Sequence, residues 1–162
     1  MKRLLIAIIS ILSSTQAIAE LNITEPFQAC NLMSEIGLKT GGWKNHYEQE
    51  YGCSSPYKDI GEAFPLPNNI AFYAEGDRDS VKLVKLVLNI NDPSSETIAN
   101  EVLQYTASIL IPKISGEMLS TSIQSAISHG NNFSEKIGTS MVNVVRENWP
   151  TGKGYEIKVI IN

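Results

Sequence analysis

Residues 69–90 read NIAFYAEGDRDSVKLVKLVLNI and contain the clearest strand pattern in the chain. Residues 70–74 form one apolar run, residues 76–79 are polar and typical of a turn, and residues 81–90 form a longer return run. Side chains alternate along a strand, so Val84, Leu86 and Leu88 fall on one face of that return run. The pattern therefore predicts a β-hairpin over residues 69–90.

Helix signals occur on both sides of this hairpin. Residues 27–36 predict a short helix that ends at Gly37, where a left-handed cap belongs. A second helix is predicted after Asp92 from an apolar stripe with spacings of four, three and four: Ile98, Val102, Tyr105 and Ile109. Pro112 is expected to break or kink this helix, because proline lacks the backbone N–H that helical pairing needs.

The remaining chain predicts one more helix and a second strand pair. The helix covers residues 114–130, and the strands cover residues 139–149 and 155–161. Antiparallel hairpins separated by helices are typical of α+β domains. The sequence therefore predicts an antiparallel sheet built from two β-hairpins, with helices packed on one face, in the order α-β-β-α-α-β-β.

The N-terminus has the three parts of a secretory signal peptide. Lys2 and Arg3 are basic, residues 4–12 form an apolar run, and residues 17–19 (Ala-Ile-Ala) supply the small residues that signal peptidase recognises. The alternative is a membrane anchor, but a run of about nine residues is much shorter than the ~20 that a spanning helix requires.

We expect residues 1–19 to form the signal peptide and residues 20–162 to form one α+β domain. A lipid anchor would need a cysteine directly after the cleavage site, and the first cysteine is Cys30. We therefore expect a periplasmic or secreted protein with no membrane span and no lipid anchor.

The charge of the chain is acidic. It has 13 Lys and Arg against 17 Asp and Glu, a formal charge of −4. Loss of Lys2 and Arg3 with the leader would lower this to −6. Such a surface is poorly suited to the phosphate backbone of a nucleic acid and better suited to a basic protein. We expect a protein partner and no nucleic acid.

Two cysteines, Cys30 and Cys53, follow the leader. In an oxidising compartment two cysteines most simply pair with each other. A loop of this size would stabilise the fold by ~3 kcal/mol in the chain-entropy model. The alternative is a pair of buried free thiols. Neither a CxxC redox motif nor a zinc spacing is present, so a structural disulfide is expected.

Motifs for metal, nucleotide and nucleophile chemistry are incomplete. His46 and His129 are the two histidines, which is few for a zinc site. Gly152-Lys153 lacks the other residues of a phosphate-binding loop. We therefore expect no catalytic residue, no metal and no cofactor.

Aromatic residues at intervals of four give the strongest candidate binding site. Trp43, Tyr47 and Tyr51 would form one stripe on a short helix, although an ordered loop is the alternative for this segment. Further residues that could share the site lie close in sequence: Glu48, Glu50 and Tyr57. Such rings suit sugar, peptide or protein contacts. They could instead pack on the sheet and cover the disulfide.

These observations favour a non-enzymatic protein-binding module, for example an inhibitor or immunity protein or an accessory factor of an envelope system. The alternative is a small-ligand or glycan binder that uses an aromatic-lined groove. A third hypothesis is a hydrolase that uses Glu48 or Glu50 together with His46. The residues identify no family, and the predicted order of elements carries no function by itself.

Overall fold

The computed structural model describes residues 19–162, so residues 1–18 of the expected signal peptide lie outside the described residues. The helices and strands of this range are α1 (Pro26–Asn31), β1 (Lys44–Tyr47), β2 (Glu50–Ser54), β3 (Lys58–Ile60), β4 (Asn68–Gly76), β5 (Val81–Ile90), α2 (Glu96–Ser115), α3 (Thr121–His129), β6 (Phe133–Ile137), β7 (Ser140–Asn148) and β8 (Tyr155–Ile161). No helix within this range is long and apolar enough to cross a membrane.

The eight strands form one antiparallel sheet in the order β1-β2-β4-β5-β8-β7-β6, with β3 paired to β4 beside β2. Together with the three helices, this sheet confirms the α+β prediction. The sheet is larger than predicted because the segment before β4 contributes three strands, and β6 adds a further strand beside β7.

The hairpin predicted over residues 69–90 consists of β4 and β5, and it lies at the centre of the sheet. Phe72 pairs with Leu86, and both are fully buried in the core that the helices cover. The next pair along, Tyr73 and Lys85, points to the opposite face and is only partly buried. The sheet therefore has one face packed on helices and an opposite face that no helix within residues 19–162 covers, although Ala71 and Val87 are buried there. We call this second face the open face.

Of the two outcomes expected at Pro112, a break or a kink, the break does not occur. Helix α2 continues for three residues beyond Pro112 to Ser115 and is capped by Gly116, which has a φ of 81°. Proline lacks a backbone N–H, so the helix loses one hydrogen bond near its C-terminal end. The helix tolerates this loss because its packing against the core holds it in place. Ile114 therefore belongs to α2, and α3 begins at Thr121 with Ser120 as its N-cap.

The apolar stripe predicted for α2 is not the face that lies deepest in the core, and its Val102 and Ile109 are only partly buried at the border of the core. Ile98 and Tyr105 of that stripe are 59% and 63% exposed. The buried face consists instead of residues that lie on the other side of the helix: Ala99, Leu103, Ala107, Leu110, Ile111 and Ile114. Both stripes have helical spacing, and alanines allow closer approach to the sheet, so packing selected the second stripe.

The segment that carries the aromatic residues is a β-hairpin, and the predicted short helix is wrong. Strands β1 and β2 pair with each other, and β2 also pairs with β4, where Cys53 lies opposite Ala74. An interval of four residues places side chains on one face of a strand as well as of a helix. The aromatic spacing was therefore ambiguous, and pairing with the central sheet decided the outcome.

The disulfide between Cys30 and Cys53 is confirmed. Their Cα atoms are 6.0 Å apart, and both residues are buried. The bond joins α1 to β2 and so ties the aromatic hairpin to the helical layer. The residues just after α1 form a 3-10 turn that ends at Gly37, with a φ of 86°, as predicted for a left-handed cap.

Candidate contact surfaces

Trp43, Tyr47 and Tyr51 do not form one surface. Trp43 is partly buried and packs against the core, whereas Tyr47 is 66% exposed at the end of β1. Tyr51 is partly buried on β2, opposite Gly76 of β4. The hairpin therefore distributes the three rings among three different environments.

Trp43 lies in a groove between α1 and the β4–β5 turn. The groove has a volume of about 740 Å³, and Phe27 of α1 forms part of its wall. The indole N–H of Trp43 donates a hydrogen bond to the carbonyl oxygen of Arg78, 3.1 Å away, and fixes the ring against the turn. The polar residues that line the groove are Glu25, Asn31, Thr40, Arg78 and Asp79.

Tyr47 and Glu48 form the tip of the β1–β2 hairpin, together with Gln49. Glu48 has a φ of 45°, in the left-handed region that side-chain-bearing residues rarely adopt. The amide of Asn45 donates to the carbonyl oxygen of Glu48 at 2.9 Å and supports this turn. Within residues 19–162, neither Glu48 nor Glu50 takes part in an ion pair.

Glu50 and Tyr51 line a depression of about 500 Å³ that also includes His46 and Tyr73. Gly52 lies at its base, since a Cβ there would be 2.9 Å from the carbonyl oxygen of Ala74 and 3.3 Å from the His46 ring. The absence of a side chain at Gly52 therefore lets β4 and the His46 ring approach β2 closely at this point. It is wide enough for one side chain of a partner or for a small ligand.

Tyr57 is joined to the open face by a hydrogen bond. The hydroxyl of Tyr73 donates to the hydroxyl of Tyr57, with 3.1 Å between the oxygens. Burial, and next the hydrogen bond with Tyr57, raises the pKa of Tyr73 well above its ordinary value. Lys85 lies 5.1 Å from the centre of the Tyr73 ring and forms an ion pair with Glu75 at 2.7 Å. These groups form a fixed polar network, whereas Tyr47 and Glu48 remain free at the tip.

A further exposed aromatic residue was missed by the sequence analysis. Phe64, in the loop between β3 and β4, is 99% exposed, and Leu66 of the same loop is 55% exposed. Pro65 and Pro67, which follow Phe64 closely, are typical of a loop, but no sequence signal distinguishes an exposed loop phenylalanine from one that folds back onto the core.

No group of three or more His, Cys, Asp or Glu side chains is placed to hold a metal ion in the part of the chain that the structure describes. Comparison with protein families, with curated proteins and with solved structures finds no match to this chain.

Proposed function

We propose that the chain is a periplasmic or secreted, non-enzymatic module that binds another protein through the tip of its β1–β2 hairpin. The observation that supports this proposal is the pair of residues at that tip. Tyr47 is 66% exposed, and Glu48 beside it has a φ of 45°. A glutamate in this region costs about 1–2 kcal/mol, and backbone strain of this kind is concentrated at functional sites.

The chemistry of the tip suits a basic protein surface. Tyrosine offers a large ring and a hydroxyl while losing little side-chain entropy, which is why it is frequent in binding hot spots. Glu48 and Glu50 add two carboxylates that no lysine or arginine within the described residues neutralises. A partner could therefore place a basic side chain between them, and the acidic charge of the whole chain would accelerate the encounter.

The edge of the sheet offers a second element of recognition. All four residues of β1 are exposed, and β1 pairs on one side only within the described sheet. Its outer backbone groups are available to an added strand, a mode in which main-chain hydrogen bonds supply affinity and neighbouring side chains supply specificity. The depression that contains His46 and Glu50 lies beside this edge.

The proposed setting is outside the cytoplasm. The disulfide between Cys30 and Cys53 is compatible with an oxidising compartment, and the signal-like residues 1–19 agree with export. An inhibitor or immunity protein of a basic exported toxin or cell-wall hydrolase fits this setting, as does an accessory factor of an envelope system.

The proposal is tested by affinity capture with residues 20–162 as immobilised bait, at low salt, from an extract of the source cells. Parallel baits carry Tyr47→Ala or, as a matched control, Tyr105→Ala, which removes an equally exposed tyrosine from α2. We expect one stoichiometric protein on the wild-type and Tyr105→Ala baits, and loss of that protein on Tyr47→Ala. Equal retention on all three baits, or no retained protein, would contradict the proposal.

A small-ligand or glycan binder is the second candidate, and the groove between α1 and Trp43 favours it. Phe27 is 75% exposed there, and it shares the groove with Trp43, Asn31 and Asp79. Aromatic faces beside amide and carboxylate groups are suited to sugar rings. Titration with cell-wall saccharides, followed by tryptophan fluorescence, tests this candidate. A saturable change that Phe27→Ala abolishes would support it, and no change at any saccharide concentration would exclude it.

A further inference from the structure

A second exposed apolar element lies at the other end of the central strand from the hairpin tip. We name residues 61–67 the Phe64 loop, which joins β3 to β4. This loop directly precedes Asn68, the first residue of β4, whereas the hairpin reaches the last residue, Gly76, through its pairing with Tyr51. A nine-residue strand is ~30 Å long, so the two ends present separate surfaces.

The base of the Phe64 loop is firmly held. The side-chain oxygen of Asn68, which is 1% exposed, accepts hydrogen bonds from the backbone N–H groups of Asn91 and Asp92, both at 2.8 Å. The side chain of Asn91 in turn donates to the carbonyl oxygen of Pro67 at 2.6 Å. These bonds fix the end of the loop against the β5–α2 junction, so the loop that carries the exposed apolar side chains has a fixed position at its C-terminal end.

The tip of the Phe64 loop carries two exposed apolar residues next to prolines. Phe64 is 99% exposed and Leu66 is 55% exposed, and each is followed by a proline. Proline restricts the backbone in the free state, which reduces the entropy lost when such a segment binds. An exposed phenylalanine gains nothing in folding, but it supplies the kind of large, rigid anchor that dominates protein interfaces.

A groove of about 700 Å³ separates the Phe64 loop from the β7–β8 turn. Trp149 forms part of its wall, and its position is fixed by Gly154, where an added Cβ would come within 2.5 Å of the indole ring. The backbone N–H of Trp149 also donates to the carbonyl oxygen of Gly154 at 3.1 Å. This surface therefore combines the projecting ring of Phe64 with the indole ring of Trp149 in the wall of the groove.

The charges around Phe64 are mainly acidic. Glu62 and Asp92 line the groove with Phe64, Asp59 lines the adjoining surface, and Lys153 is the one basic residue among those that line the two. Hydrogen bonds from the hydroxyls of Ser94 and Ser95 lower the pKa of Asp92, so this carboxylate is ionised at neutral pH. The apolar anchor therefore has a negatively charged border.

We propose that the Phe64 loop is a second protein-contact surface, and that its partner is a protein with an apolar pocket bordered by basic side chains. Phe64 enters that pocket, Leu66 packs at its margin, and Glu62 and Asp92 face the basic border. The complementary charges increase the rate of association and orient the loop. This surface is independent of the hairpin tip, because Phe64 and Tyr47 lie at opposite ends of β4.

The experiment places the photo-crosslinking residue p-benzoylphenylalanine at position 64 of the full chain in the source cells. The protein that becomes crosslinked is identified, purified and titrated with the wild type, Phe64→Ala, Tyr47→Ala and Tyr105→Ala. We expect Phe64→Ala to raise Kd by about tenfold or more and Tyr105→Ala by less than about twofold. Kd should also rise with added salt, and less steeply for Glu62→Gln.

The folding of each variant is checked by its thermal midpoint, which Phe64→Ala should leave unchanged because the ring is exposed. The absence of any adduct at position 64, or wild-type affinity of Phe64→Ala, would overturn the proposal. A Kd that does not depend on salt would exclude the basic border. Loss of binding in Tyr47→Ala concerns the hairpin tip alone, so the two proposals can fail separately.

Discussion

The indole N–H of Trp43 donates to the carbonyl oxygen of Arg78, and this bond links the start of the aromatic hairpin to the β4–β5 turn across 35 positions of sequence. Trp43 is also packed against the core, whereas Tyr47 four residues later is mostly exposed. Of these two aromatic residues four positions apart, Trp43 therefore stabilises the fold, whereas Tyr47 is free to contact a partner.

Truncation of these two rings should therefore have different effects on stability. We expect Trp43→Ala to lower the free energy of unfolding by about 2–4 kcal/mol, since it removes a partly buried ring and leaves the Arg78 carbonyl without its donor. Tyr47→Ala should change it by less than about 0.5 kcal/mol. Urea unfolding of both variants measures the difference. Equal losses would show that Tyr47 is part of the core.

A substitution that relieves the backbone strain at Glu48 should raise the stability of the fold and weaken partner binding. Glycine adopts a positive φ without penalty, although it also loses more backbone entropy on folding. We expect Glu48→Gly to raise the free energy of unfolding by about 0.5–1 kcal/mol and to weaken partner binding. Glu48→Ala is the matched control, because it removes the carboxylate and keeps the strain. A Glu48→Gly variant that is less stable than Glu48→Ala would contradict this interpretation.

The disulfide should make a large contribution to stability. It links two buried residues 23 positions apart and connects α1 to the hairpin. We expect the double variant Cys30→Ala with Cys53→Ala to lose about 2–5 kcal/mol, which is common when small exported domains lose a native bridge. Alanine avoids the burial of two hydroxyls. Thiol labelling of the unfolded wild type, without reductant, should detect no free thiol, and two labelled thiols would refute the bridge.

The buried hydroxyl of Tyr155 should make the stability of the fold depend on pH in the alkaline range. Its hydroxyl is buried and makes no hydrogen bond of good geometry within residues 19–162. Burial, and next the interaction with the Glu96 carboxylate, raises its pKa from 10.0 to about 12. Between pH values near 10 and near 12, the unfolded chain releases this proton while the folded chain retains it, so stability falls as pH rises. The Tyr155→Phe variant lacks this loss.

The Tyr155→Phe variant should also be more stable at neutral pH, by about 1 kcal/mol, because it removes a buried hydroxyl without a partner. Arg146, whose guanidinium lies 3.5 Å from the ring centre, can stack on phenylalanine equally well. Urea unfolding at pH 7 and pH 11 compares the two proteins. A gap that does not widen at pH 11 would show that Tyr155 titrates normally.

The sequence predicted the fold well where a local pattern is compatible with only one structure. Alternation over residues 69–90 fits only a strand pair, and Gly37 and Gly130 each end a helical segment with a positive φ. The two cysteines of the chain left few alternatives to pairing with each other. In each of these cases the local pattern was enough.

Errors arose where one local pattern permitted two structures. The spacing of Trp43, Tyr47 and Tyr51 fits a helix and a strand equally, and pairing of β2 with β4 resolved it. Helix α2 has apolar residues on two sides, so the choice between Tyr105 and Leu103 as the buried side required the sheet to be present. The exposure of Phe64 likewise depends on where the loop base is anchored. These outcomes depend on contacts between distant segments.

Recognition of a partner protein by the hairpin tip is tested most directly by isothermal titration of that purified partner with the wild type, Tyr47→Ala and Tyr105→Ala. We predict that Tyr47→Ala raises Kd by about tenfold or more, whereas Tyr105→Ala changes it by less than about twofold. Both variants should keep the thermal midpoint of the wild type, since each ring is mostly exposed. A Tyr47→Ala protein that folds normally and binds with wild-type affinity would contradict the proposed contact.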